Sequence, residues 1–410
     1  MNNKLYYSII TLLCFTLNSY AQIDSTLIKP GSDTTKRSLM NLEAIHNRPF
    51  TNIGNTPAAL GGYMESNWQY LSTEGVSEGH QFQFRRLTLF TSATITKRIK
   101  FLAEIEFEDG AKEIAIEFAA LDIELSPLLN LRGGMIVNPI GAFNENHDGP
   151  KWEFTDRPLA MTNMLPATWS TPGFGIYGKK SFNKWMASYE FYLSSGFDNS
   201  IIENSENKTF LPATKQNKNR FEESENGTIF TTTKFAVKNN KWGEIGISHM
   251  GGIYNKYRDE GIDIDDKRRV NIYAIDFNTQ IPNTKTFVTG EFAWVFVDVP
   301  ETYSQQFGTK QQGGFIDIVQ PLYTRKVLDW NNATVNLSVR IEYVDWNKGR
   351  FKETGHQIGD EAWSFMPGIS FRPSQKSVFR LNYRYLKTRD LFQNTPERTD
   401  ALIVGISTYF

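Results

Sequence analysis

From Gly61 onward apolar and polar side chains exchange places with period two, over segments of roughly ten to fifteen residues. Phe101, Ala103, Ile105 and Phe107 alternate with Glu104, Glu106 and Glu108; Val335, Leu337, Val339, Ile341 and Tyr343 alternate with Asn336, Ser338, Arg340 and Glu342. That is the period of a strand whose two faces meet different media. About sixteen such segments can be counted, near residues 61–72, 82–97, 100–109, 113–124, 128–138, 172–182, 184–195, 228–238, 241–250, 269–280, 284–298, 312–324, 333–346, 362–373, 377–388 and 399–410.

The links between the segments alternate as well. After each odd segment comes a polar loop, the longest at 139–171 and 196–227; after each even one comes a tight link such as Arg98-Ile99, Asn183 or Ser374-Gln375, with the region around Asp329 longer. An even strand count with short turns on one rim and long loops on the other predicts an all-β fold. The expected form is a closed up-and-down transmembrane β-barrel of about 16 antiparallel strands, with short periplasmic turns and long external loops, in the bacterial outer membrane. A soluble β-sandwich or propeller also alternates, because its outer faces are solvated. Loop asymmetry, the N-terminus and the last strand favour the barrel. That strand, Ala401 to Phe410, is expected to pair with the first, so that no edge is left open. Phe410, Trp185 and Phe371 then fall in the periplasmic aromatic belt, and Trp68, Tyr70 and Trp363 in the external one.

The first residues assign a compartment. Lys4 precedes the apolar run Leu5 to Leu17, and the small residues Ser19 and Ala21 suit a cleavage site, so 1–21 reads as a secretory signal. Residues 22–59 are rich in Ser, Thr, Asn and Pro, with little periodicity, and read as a flexible periplasmic lead-in to a barrel at 60–410. The single cysteine, Cys14, falls within the signal, which removes disulfides, thiolate zinc and a cysteine nucleophile from consideration. With 44 basic and 45 acidic side chains, the near-neutral balance gives no case for nucleic acid. Aromatics are 14% of the chain while mean hydropathy is −0.42, which rules out a helical membrane protein.

Strand charges can be sorted by cost. An Arg on the lipid face near the midplane costs about 2–4 kcal/mol, so charges should face the lumen. Strand parity turns Arg86, Arg132, Lys234, Arg340, Arg380 and Arg384 inward, with Glu65, Glu104, Glu106, Glu108, Glu117, Glu190, Glu291, Asp317 and Glu342. The lumen is therefore of mixed charge. In a pore, a radius and such rings of charge do the selecting.

Two stretches resemble a known family. "FRRLTLFTSATITKRIKFLAEIEFEDG" is similar to the second and third strands of the phosphate-selective porin O and P family, and "LRGGMIVNPIGAFNENHDGPKWEFTDRPL" to its fifth strand and third external loop. The resemblance implies a trimeric sixteen-stranded general or anion-preferring channel, with that loop folded inward to narrow the pore. In this chain Pro139 to Thr171 is the third long loop, and its Phe143, Met161, Met164 and Trp169 suit a packed plug. Selectivity for phosphate in the family rests on an arginine ladder and a basic constriction. Here Lys151 and Arg157 stand beside Glu145, Asp148, Glu153 and Asp156, which points to weak selectivity.

Other chemistry is thinly supported. The acidic run from Asp259 to Asp266 could bind calcium, yet Lys267, Arg268 and Arg269 follow at once. Ser248-His249 invites a hydrolase reading but lacks a placeable acidic orienter. His46, His80, His147 and His356 show no metal-ligand spacing. The expectation is a non-enzymatic porin without catalytic residues, metal or cofactor. Its partners would be the lipid bilayer, lipopolysaccharide, further copies of itself in a homotrimer, and small solutes or anions. The rival is a loop-sealed barrel that serves as a binding or assembly partner.

Overall fold

The computed structural model describes residues 40–52, 56–222, 224 and 226–410. The expected signal, 1–21, and residues 22–39 of the lead-in lie outside the described residues. Sixteen long strands and the two-residue strand Thr51–Asn52 form one 17-stranded antiparallel sheet. The long strands are β1 (Ala58–Thr73), β2 (Val76–Thr96), β3 (Ile99–Glu108), β4 (Glu113–Ser126), β5 (Leu129–Val137), β6 (Ser170–Phe182), β7 (Trp185–Ser194) and β8 (Phe230–Asn239). They continue as β9 (Gly243–Ile253), β10 (Arg269–Gln280), β11 (Phe287–Val297), β12 (Lys310–Val327), β13 (Trp330–Asp345), β14 (Glu361–Ser374), β15 (Ser377–Arg389) and β16 (Glu397–Tyr409).

Each long strand pairs with its neighbours in sequence, and β16 returns to β1 with Thr399 opposite Thr73 and Tyr409 opposite Tyr63. The Phe410 N–H donates to Gly62 O at 3.0 Å. The sheet is thus closed, and its backbone groups are satisfied strand to strand, as a hydrocarbon environment demands.

Burial runs opposite to that of a soluble sheet. On β13, Asn336, Ser338, Arg340 and Glu342 are buried while Leu337 and Ile341 are exposed; on β3, Lys100, Glu104 and Glu106 are buried while Ile105 is exposed. A β-sandwich or propeller would bury the apolar face instead, so this inversion decides for a barrel wrapped in lipid. Trp185, Trp330 and Phe410 are exposed near the short-turn rim, and Tyr70, Trp294 and Trp363 near the long-loop rim, where interfacial girdles belong.

The rims differ from expectation at three places. The first external loop, expected across 73–81, is the two-residue turn Glu74–Gly75, whose φ values of 51° and 80° suit a tight hairpin. The link around Asp329 is also a two-residue turn, because β12 and β13 run on to Val327 and Trp330; the longest short-rim link is 281–286. The lead-in expected to be flexible across 22–59 is, where described, folded. Met40 to Phe50 is almost entirely buried inside the barrel, and Thr51 and Asn52 pair with Leu60 and Ala59.

Candidate functional site

The lumen is filled from both ends. From the external side the loop at 138–169 leaves β5 and turns into the barrel. Asn144 closes its neck, donating to the Asn138 and Trp169 carbonyls at 2.7 and 2.8 Å and accepting from the Trp169 N–H at 2.7 Å. The loop then hangs from the wall. Lys234 Nζ reaches Gly141 O at 2.6 Å and Glu145 at 2.7 Å, and Glu291 accepts the N–H groups of Ala142 and Phe143, both at 2.8 Å. Further along, Glu153 meets Arg372 at 2.7 Å, Asn382 accepts the Thr155 N–H at 3.0 Å, and Asp156 lies 2.7 Å from both Arg85 and Arg384. Burial would raise the Asp156 carboxyl, but those two guanidiniums outweigh it and hold it at about 2. A backbone hung on so many charged anchors is fixed in place, because each unmatched group would be a buried orphan.

The outer part of the same loop is apolar. Met161, Met164, Leu165 and Trp169 join Phe197, Ile201 and Leu211 of the fourth external loop, 195–229, against Val270, Ile272 and Val295 of the wall. This cluster occupies the external half of the lumen on the β10–β11 side.

From the periplasmic side comes residues 40–50, which cross the lumen as a strap. Asn41 donates its N–H to Glu244 at 3.1 Å and its amide to Asp276 at 3.1 Å, and Glu43 pairs with Lys179. His46 lies 2.7 Å from Arg132 and 3.3 Å from Asp122. Arg48 grips Asp148 with two bonds, 3.0 and 2.6 Å, and Glu104 with a third at 2.9 Å, its guanidinium 4.1 Å above the Phe90 ring. Burial pushes the His46 imidazole down to about 4; Asp122 opposes the fall, while Arg132, Lys100 and Arg48 add to it. Glu104, His147 and Asp148 are brought close enough to hold a metal ion, a grouping that sequence spacing did not suggest. The Arg48 guanidinium already lies against all three, so a cation is supplied by the chain itself.

Beside the strap, between β10 and β14, a cavity of about 440 Å³ remains. Its roof is Phe143 and Trp152 of the third loop, and its walls reach Gln280, Lys285 and Gln375 at the short-turn rim.

Each basic residue singled out by parity or by loop position sits in the lumen against a carboxylate. Arg86 meets Glu65, Glu106 and Glu108, at 2.8, 3.3 and 3.1 Å; Arg132 meets Asp122 at 2.7 Å; Lys151 meets Asp148 at 3.3 Å; Arg157 meets Glu106 at 3.4 Å. Lys234 meets Glu145, Arg340 meets Asp317 at 2.6 Å, Arg380 meets Glu65 at 2.9 Å and Arg384 meets Asp156. Sequence reasoning missed Arg48, Arg85 and Arg372. Arg372 shares its face with Ser364, Met366 and Ser370, so parity could have found it. Arg85 could not be found that way: a bulge opposite Glu65 and Ser66 lets two consecutive arginines point inward. Ser248 and His249 do not meet. Ser248 accepts the Gly141 N–H at 3.0 Å inside, while His249 stands against Tyr273 on the other face, as adjacent strand residues must. The acidic run near Asp259 is tied into exposed pairs, Lys256 with Asp259 and Arg258 with Asp263.

No family model matches this sequence. An uncharacterized protein of Aquifex aeolicus (strain VF5) is 33% identical over 224 residues, which are 52% of this chain and 47% of that protein. The chain thus spans about half the length of the curated relative it matches. Among solved structures, it is similar to an anion-selective porin from Comamonas acidovorans, with a TM-score of 0.53 and 12% identity over 86% of this chain and 99% of that one. It is also similar to the outer-membrane channel DcaP of Acinetobacter baumannii (0.53, 11%, 86% and 97%) and to Salmonella typhi OmpF (0.52, 13%, 87% and 99%). At these identities the likeness is one of fold. This protein is an outer-membrane β-barrel with the sixteen-stranded architecture of the porins.

Proposed function

We propose that the protein is a porin through which small hydrophilic solutes diffuse passively, with weak preference between anions and cations. The reading is carried by the third external loop, which hangs inside a polar lumen above a cavity of about 440 Å³. Arg86, Arg157, Glu104 and Glu106 line its constriction with Lys151; Lys234, Arg340, Arg380 and Arg384 brace the loop, and Arg132 braces the strap through His46. A ladder of free arginines would select anions, but here every rung is neutralised by a carboxylate within 4.0 Å, so the field along the lumen is small. Inorganic phosphate is accordingly a poor candidate for a preferred solute. The reading includes no bond-making chemistry, and Ser248 serves as an anchor for Gly141. A homotrimer in contact with lipopolysaccharide completes the proposal.

Reversal potentials of the purified protein in planar bilayers test it. Small values in a salt gradient agree with paired lumenal charges; strong anion preference with block by phosphate contradicts them. A second reading, a sealed barrel that docks a partner, is favoured by one observation, the apolar cluster around Met161, Trp169 and Phe197 in the external half of the lumen. Insertion without current in any salt would establish that reading instead.

A further inference from the structure

We propose that the cavity beside the strap is a binding site for a neutral, polyhydroxylated solute of the size of a small saccharide. The volume of about 440 Å³ lies in the range of small-molecule sites. The class of ligand follows from the chemistry the walls have left to offer.

Asp317, Glu153 and Arg372 spend their charges within the protein, while Lys285 stands exposed at the short-turn rim of the cavity. Both Asp317 oxygens accept from Arg340, at 2.6 and 2.7 Å, and the Glu153 carboxylate is shared between Arg372 and Ser370. Three side-chain amides in the same wall are half used. Asn146 donates to Ala142 O at 2.9 Å, Asn278 to Asn41 Oδ1 at 3.2 Å and Asn336 to Ser370 Oγ at 3.1 Å. Among the described residues, no side chain or backbone group donates to their carboxamide oxygens. Wall acceptors that lack donors call for a ligand that brings O–H groups. A phosphate dianion, rich in acceptors, finds no partner in those amide oxygens.

The roof adds an apolar platform. Trp152 is half-buried, its indole N–H donates to Asn146 O at 2.7 Å, and it meets Phe143 and Phe315 at interplanar angles of 50° and 70°. Neither of these rings stacks in parallel on the indole. An aromatic face beside hydrogen-bonding amides is the arrangement that takes a sugar ring, whose C–H face packs on the aromatic surface while its hydroxyls reach the polar groups. As a station on a transport path the site rests on the porin reading; as a binding site it can be measured apart from it.

The experiment uses the full chain in detergent, titrated calorimetrically with maltose and with inorganic phosphate, and the same preparation in planar bilayers. Saturable maltose binding that phosphate does not displace is expected, with a reversible fall in current. Trp152→Ala should weaken maltose binding about threefold to tenfold. Asn336→Ala, whose wall position is independent of the loop, should weaken it as well, heat-modifiable gel mobility confirming that both variants fold. A conducting protein that does not bind maltose, or one whose site is competed by phosphate, overturns the inference and leaves the porin reading intact. A non-conducting protein that binds maltose upholds the inference and overturns the porin reading.

Discussion

Around β3 to β6 and on to β9 and β10 the periplasmic half of the lumen is filled by the strap, whereas between β10 and β14 the described residues leave it hollow. The strands on both sides obey one rule, apolar outward and polar inward, so the rule does not account for the difference. The matching of the charges does. The filled side turns Glu104, Asp122, Arg132, Lys179 and Glu244 inward; the hollow side turns Asp317 and Arg372 inward, already met by Arg340 of the wall and Glu153 of the third loop, beside Asn278, Thr289, Thr334 and Asn336. A charge taken out of water needs an opposite charge with good geometry, and the strap brings His46, Arg48 and Glu43 to supply it. Amides and hydroxyls remain content with water, and the strap reaches this side through Asn41, which accepts from Asn278 at 3.2 Å.

Arg48→Ala should break this contrast most. Removing one partner of a buried pair costs about 3–5 kcal/mol, so the strap should leave and single-channel conductance should rise to the level of a variant lacking residues 40–50. Conductance equal to wild type in both variants would mean that the strap does not stand in the path. Acid should act next. The His46 pKa is lowered from 6.5 to about 4 in the docked strap, so the docked state is fully favoured above 6.5 and loses up to roughly 3 kcal/mol as pH falls from 6.5 to 4. Proteolysis of the strap should therefore increase over that window in wild type and stay level in His46→Gln.

On the hollow side effects should be smaller. Arg372→Ala leaves Glu153 with the Ser370 hydroxyl, so the loop should loosen by roughly 1–3 kcal/mol, seen as noisier current with little change in its mean. The smallest effect is expected at Asp156. Held at about 2, its carboxylate keeps Arg85 and Arg384 paired above that value and releases them only as pH falls through it. Noise arising from this end of the loop should be flat from pH 7 to 4 in His46→Gln, and an acid-induced rise there would place the weak point at Asp156.

Most of the barrel was legible because its signal is local. Side chains alternate at every residue, so Arg340 and Glu342 on one face and Leu337 and Ile341 on the other can be assigned without knowing what they touch. The inserted loop was legible in part, since Phe143, Met161 and Trp169 are too apolar for a solvated tail. The strap was not. "MNLEAIHNRPF" has no period, and its charged side chains are buried against partners far along the chain, such as Glu104, 56 positions from Arg48. The Arg85–Arg86 pair failed for a different reason: a bulge adds one residue to a strand and resets the parity on which the assignment depends.

Strand count, the outward apolar face and the inward position of the charges are written into the local pattern, because placing them otherwise would cost kilocalories residue by residue in lipid. What those inward charges do is set by the closed fold. Whether an arginine attracts a passing anion or holds a loop depends on which carboxylate the closed barrel brings within 4.0 Å, and that distance is set by strands and loops far apart along the chain.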